Sequence, residues 1–184
     1  FILEENKKLK MIIDDYLEVS EEIIAKIIID KDSPFLRSII VNKGSKNNVK
    51  KGMAVLDGDY LIGKVVEVNY STSRALLLSD LNSKIPVTIE PGSYECILSG
   101  TGGNQGVIQY LKEEYIIEEN SLVYASGSGG LFKAGIPIGK IILNEEGDKK
   151  YVNFLSDFSQ LKFIKIVSYK KEAKQWPNFQ NQVL

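Results

Sequence analysis

The chain of 184 residues contains no histidine and a single cysteine, Cys96. The missing imidazole removes Ser-His-Asp and Cys-His nucleophilic catalysis and every histidine-ligated metal site. One cysteine makes no intrachain disulfide and no thiolate metal cluster; between Glu95 and Ile97 it reads as a small buried side chain. Neither sign of charge is in excess: 23 Lys and Arg face 24 Asp and Glu, for a formal net charge of −1. Nucleic-acid binders leave a basic footprint that this balance lacks, so no nucleic-acid partner is expected. The basic pairs Lys7-Lys8, Lys50-Lys51, Lys149-Lys150 and Lys170-Lys171 are scattered and read as solvated turns. No run approaches the roughly 18 apolar residues of a membrane-spanning helix. The chain starts at Phe1, without Met and already inside a helical pattern. It is expected to be a fragment, with any targeting or membrane segment upstream.

Glycine and proline are absent from residues 1–19, and helix formers fill that stretch. Ile2, Asn6, Leu9, Ile13 and Tyr16 alternate spacings of four and three, the seam of a coiled coil. Asn6 then occupies a core position, where a polar side chain favours a parallel dimer and fixes its register. A helix over 1–20 that ends a longer dimeric coil is expected. Beyond residue 25 no long helical pattern occurs. Twelve short β-rich runs follow instead, at 24–30, 38–42, 53–56, 61–68, 74–79, 84–90, 95–99, 106–111, 122–125, 138–143, 151–155 and 162–169. Short strands separated by turn signals point to barrels or sandwiches. In 84–90 the alternation is clean, and Pro86, which donates nothing to a ladder, marks an edge strand or a bulge.

Gly58-Asp59-Tyr60-Leu61-Ile62-Gly63-Lys64 is one residue short of a phosphate-binding P-loop. The hydroxyl residue that should follow the lysine is Val65, and a strand-like run replaces the helix. The stretch is instead half of a duplication. Leu61-Ile62-Gly63-Lys64-Val65-Val66 recurs as Pro137-Ile138-Gly139-Lys140-Ile141-Ile142, and Leu77-Leu78-Ser79-Asp80-Leu81 recurs as Phe154-Leu155-Ser156-Asp157-Phe158. Gly to Ser is 16 residues in the first copy and 17 in the second. Two related β modules, 21–94 and 95–170, are therefore expected, with 171–184 a tail and the C-terminal strand free to complete the first module. Each alone would bury only ~60% of its unfolded surface, so the two should pack together. Gly63 and Gly139 sit where a barrel strand needs a bend or close backbone approach. The Gly-rich loops 99–106 and 126–139 fit neither the dinucleotide nor the nucleophile-elbow pattern, so no cofactor, metal or catalytic residue is expected. Their glycines, Gly127, Gly130 and Gly135 among them, read as turn-formers, with Leu131, Phe132 and Ile136 tucked into a core or a partner.

Several of these stretches together resemble the rod shape-determining MreC family. They are Val49-Lys50-Lys51-Gly52-Met53-Ala54-Val55, Leu61-Ile62-Gly63-Lys64-Val65, the run from Leu76 to Val87, Ser126-Gly127-Ser128-Gly129-Gly130-Leu131-Phe132 and Gly135-Ile136-Pro137-Ile138-Gly139. Lys133 departs from the proline that the family usually carries there. The resemblance covers roughly residues 35–168. It implies an inner-membrane protein with an extracytoplasmic coil and two six-stranded β-barrels like the halves of trypsin-like proteases. It also implies a non-enzymatic scaffold of cell elongation that forms a homodimer or filament. Implied partners are a class B penicillin-binding transpeptidase, the membrane protein MreD and, within the complex, the cytoskeletal protein MreB. Pro86, Leu131 and Phe132 are candidate interface residues. The competing reading is a periplasmic adaptor of an efflux or secretion system, since Val49-Lys50-Lys51-Gly52 followed by Gly58-Asp59 is mildly lipoyl-like; the helical hairpin of such adaptors is missing.

Overall fold

The computed structural model describes residues 2–3, 18–33, 36–112, 114–130, 132–144 and 149–170. All twelve β-rich runs are strands: β1 (Glu18–Ser33), β2 (Leu36–Val41), β3 (Ala54–Asp57), β4 (Tyr60–Val68), β5 (Ser73–Leu77), β6 (Lys84–Glu90), β7 (Tyr94–Gly100), β8 (Gln105–Gln109), β9 (Leu122–Ala125), β10 (Pro137–Leu143), β11 (Lys150–Phe154) and β12 (Phe163–Lys170). Ile2 and Leu3 are helical and exposed. The other seam residues, Asn6, Leu9, Ile13 and Tyr16, lie outside the described residues, as does the tail 171–184. The helix expected through residue 20 is corrected at its end, because β1 already starts at Glu18. There the ladder with β12, Glu18 opposite Lys170, supplies backbone partners that outweigh a weak local preference.

The strands close into two antiparallel barrels, β1-β12-β3-β4-β5-β2 and β10-β11-β8-β7-β6-β9. Matching the duplicated segments makes β4 the counterpart of β10 and β5 of β11. The same match pairs β3 with β9, β2 with β8, β1 with β7 and β12 with β6. The equivalence reaches single hydrogen bonds. In the first barrel Leu78 N–H donates to Ile62 O at 2.9 Å and Val65 N–H to Met53 O at 2.9 Å. In the second, Leu155 N–H donates to Ile138 O at 3.0 Å and Ile141 N–H to Ser121 O at 2.9 Å. The register also slips at the same place, past Ile62 between β3 and β4 and past Ile138 between β9 and β10. These are the bulges at which the barrels turn their corners.

This matching corrects the expected module boundary. β6 does not complete the first barrel. It pairs with β7 and β9 in the second, while β12, its counterpart, pairs with β1 and β3 in the first. Each sequence repeat of six strands therefore lends its last strand to the barrel built mainly by the other. A barrel closes by satisfying the edges beside its empty slot, and any strand of the right pattern within reach serves.

The cores follow from strand alternation. Val55, Ile62, Val65, Ile164 and Ile166 point into the first barrel, with Ile39, Val41, Ala75 and Leu77. Their neighbours on the opposite face, Ala54, Leu56, Leu61 and Val167, join a second cluster with Val87, Leu98, Val123, Ile138, Ile141 and Val152 of the other barrel. Strands β3, β4 and β12 are thus buried on both faces, and β4 packs against its own counterpart β10. An element facing its equivalent is the mark of an isologous, two-fold-like contact.

Candidate interaction surfaces and the barrel junction

Pro86 is not on an edge. β6 lies between β7 and β9, with Pro86 opposite Ile97. Its carbonyl accepts from Ser126 N–H at 3.2 Å. Within a strand a residue's nitrogen and carbonyl face the same side, so the imino nitrogen also points toward β9, past its last residue Ala125. The one bond proline forgoes is the reciprocal donation to Ser126 O, just past the end of β9, so the ladder within β9 is intact and proline is tolerated in a closed barrel. Phe132 is 3% exposed and belongs to the second core, so of the two roles open to it the core is the one occupied; Leu131 lies outside the described residues. Around Phe132 the loop turns on Gly127, Gly130 and Gly135, all at positive φ, and presents residues 128–130 to solvent.

The repeated Leu-Ser-Asp segments have diverged in use, and the sequence did not single them out as contact sites. After β5, Asp80 is fully buried. Its carboxylate accepts from Arg37 N–H at 2.7 Å and Asn82 N–H at 2.7 Å, and from Asn82 Nδ2 at 3.1 Å. Ser79 O accepts from Gly102 N–H and Ser83 O from Gly100 N–H, so this connection is sewn to β7 and its turn. After β11, Asp157 is exposed and caps a local turn; the Ser159 hydroxyl and then its N–H hold the carboxyl below its ordinary range. The preceding Ser156 instead crosses between barrels, donating its hydroxyl to Asp57 Oδ2 at 2.7 Å. Arg37 Nη1 donates to Asn104 Oδ1 at 3.0 Å across the same junction. Replacing Asp80 with alanine takes the acceptor from the part-buried Arg37 and Asn82 N–H groups and empties a fully buried site, so a loss of ~2 kcal/mol is expected. Urea unfolding checks this, with Asp80→Asn the milder change; an unmoved midpoint for Asp80→Ala contradicts it.

Beside this junction lies a cavity of about 240 Å³ lined by Asn104, Asn153, Phe154, Ser156, Asp157 and Phe158. Phe154 and Phe158 stack with centroids 4.9 Å apart and close its apolar side. Cys96, on β7, lies in the second core at 6% exposure, and burial pushes its thiol up to about 12. Reactivity needs the thiolate. The folded chain is therefore expected to resist a maleimide at pH 8 and to react at once in denaturant; equal rates would contradict the burial. Among the described residues no group of three or more His, Cys, Asp or Glu side chains is placed to hold a metal ion.

Among the described residues several large apolar side chains reach solvent, Tyr70 and Leu81 among them, and two groups stand out. Ile24 (64% exposed) and Ile28 on β1 share an outer face with Phe163 on β12. Tyr110 and Ile116 (86% exposed) project from the β8–β9 loop of the other barrel. No described helix is long and apolar enough to cross a membrane.

Comparison with known proteins places this architecture. Residues 27–168 match the family model of the rod shape-determining protein MreC, barrel core. The chain is 31% identical over 150 residues to the cell shape-determining protein MreC of Caulobacter vibrioides, covering 82% of this chain and 43% of that protein. It spans about half the length of the curated relatives it matches. The crystal structure of MreC from Pseudomonas aeruginosa superposes with a TM-score of 0.74 at 28% identity, over 81% of this chain and all of that one. A chain of the complex between penicillin-binding protein PBP2 and MreC from Helicobacter pylori has the same fold, with a TM-score of 0.60 at 17% identity over 80% of this chain and 99% of that one. With the repeat, the paired bulges and most of both barrels inside the matched span, this chain belongs to the MreC family of cell shape-determining proteins.

Proposed function

We propose that this chain is the extracytoplasmic part of a membrane-anchored, non-enzymatic scaffold that holds peptidoglycan synthases in a cell-elongation complex. The observation that carries the reading is the interlocked pair of barrels in a family of shape-determining proteins. Each barrel is completed by a strand from the other repeat, so the body offers fixed surfaces. A class B penicillin-binding transpeptidase is the first expected partner, supported by the PBP2 complex of the Helicobacter pylori relative. Self-association belongs to the same reading, through a coil seamed by Ile2, Asn6, Leu9, Ile13 and Tyr16 and through the barrels. MreD and, by way of the complex, MreB complete the expected set, with an anchor preceding this segment. The exposed apolar side chains Ile24, Ile28 and Phe163, and the rim of the loop at residues 128–130, are the surfaces offered to these partners.

Two measurements test the proposal. The purified chain should bind the extracytoplasmic domain of its own organism's class B transpeptidase in biolayer interferometry. Its full-length parent should restore rods to cells depleted of it. Absence of binding together with normal rods in depleted cells would overturn the proposal.

A further inference from the structure

The two barrels carry equivalent loops of opposite charge. The β2–β3 connection, residues 42–53, holds Lys43, Lys46, Lys50 and Lys51 and no acidic residue. Its counterpart between β8 and β9, residues 110–121, holds Glu113, Glu114, Glu118 and Glu119 against Lys112 alone. Both loops are built outward. In the first, Val49 and Met53 are buried while Lys46, Lys50 and Lys51 are exposed. Gly44 fits beneath the β4–β5 turn, where a Cβ would meet Asn69 O at 2.3 Å, and Ser45 N–H donates to that carbonyl. In the second, Ile117 is buried and Tyr115 stacks on Tyr94 with centroids 4.4 Å apart, leaving Glu114, Glu118 and Glu119 exposed.

Each charged loop is also coupled to exposed apolar surface. Lys46 Nζ lies 5.8 Å from the centre of the Tyr70 ring, which is 75% exposed. Tyr110 is 78% exposed and is held at φ +60°, and Ile116, 86% exposed, belongs to the same acidic loop. The hydrogen bonds and ring contacts named for either loop remain within its own barrel. Among the described residues no ion pair joins these lysines to an acid. A basic, tyrosine-bearing surface and an acidic, Tyr- and Ile-bearing surface occupy equivalent positions on one rigid body.

We propose that these loops are the two halves of a heterologous contact between copies of this chain, the 42–53 loop of one engaging the 110–121 loop of the next. The partner is a second copy because the complement of each surface lies on the chain itself. A contact between two different patches leaves each copy with one surface unused, so the assembly extends head to tail. The proposal rests on the self-association reading above and gives it a surface and a polarity. Opposite charge sets orientation and speeds encounter, and the exposed Tyr70, Tyr110 and Ile116 supply the apolar contact.

Sedimentation velocity of the full chain at increasing concentration tests the inference. Species larger than any coil dimer should form at low salt and weaken about tenfold or more when ionic strength rises from ~0.05 to ~0.5 M, because exposed charges are screened. Lys46→Glu, Lys50→Glu and Lys51→Glu together make both loops acidic, and Glu118→Lys with Glu119→Lys makes both basic. Each variant alone should lose the larger species, and an equimolar mixture should recover them. All five positions are exposed, and circular dichroism confirms that each variant folds. Larger species that ignore both reversals and salt would overturn the loop contact and leave self-association standing. A chain that stays monomeric under every condition would overturn self-association itself, and the loop contact with it.

Discussion

Replacing Gly63 with valine is expected to lower the melting temperature by about 10 °C, from a loss of roughly 3 kcal/mol or more spread over a chain of this size. Gly63 is buried at the β3–β4 bulge, and its φ is ordinary; the demand is for space. A Cβ there would lie 2.2 Å from Leu76 O and 3.1 Å from Leu76 C, both backbone atoms of the paired strand β5. Gly139 repeats the arrangement one module later, its Cβ meeting Asn153 O at 2.5 Å and the Val152 side chain at 2.5 Å. Part of that second clash is a movable side chain, so Gly139→Ala should cost less than Gly63→Ala. Gly52 provides the contrast. It lies at φ +94° with nothing within 4 Å of a Cβ, so Gly52→Ala should cost only the ~1 kcal/mol of a left-handed backbone. Thermal melts followed by circular dichroism give the three values. Equal losses at positions 63 and 52 would show that the close approach is not what selects glycine.

Truncation after Gln160 is expected to unfold the first barrel while the second keeps all six of its strands. Removing β12 exposes the ladder edges of β1 and β3 and takes Ile164 and Ile166, at 2% and 0% exposure, out of the first core. It also removes Val167 from the surface shared with the other barrel. Three such side chains contribute about 1.5–3 kcal/mol each before any ladder bond is counted, which approaches the whole stability of an ordinary domain. Hydrogen exchange read by mass spectrometry should show residues 18–77 losing protection well before 84–154. The intact chain should melt in one transition, since neither barrel is complete without the other repeat. Protection retained in 18–77 after truncation would mean that the first barrel closes without its borrowed strand.

The positions of all twelve strands were legible because each is a short β-branched run between turn residues, and that pattern is local. The duplication was legible because two matched blocks, one around Gly63 and Gly139 and one at Ser79 and Ser156, keep their spacing. Other features depended on what comes near in space. Val167 and Leu61 look like ordinary strand residues, and only the packing of β4 on β10 shows that they face the other barrel. Pro86 reads as an edge or a bulge in sequence, but it sits where β9 runs out, in the middle of a closed sheet. Asp80 and Asp157 occupy the same place in the same motif. One is buried beneath the Arg37 backbone and the other faces water, because only the first connection runs under β7 and its turn.

By itself the sequence determined an all-β body of two related modules, the absence of histidine-based chemistry and the family. Alternation, turn chemistry and residue inventory are written along the chain and need no partner to be read. Which strand completes which barrel was decided by the tertiary structure alone. β6 and β12 carry equivalent patterns, so local preference does not distinguish their slots. The choice is made by which open pair of edges each strand reaches, and each reaches the barrel of the other repeat.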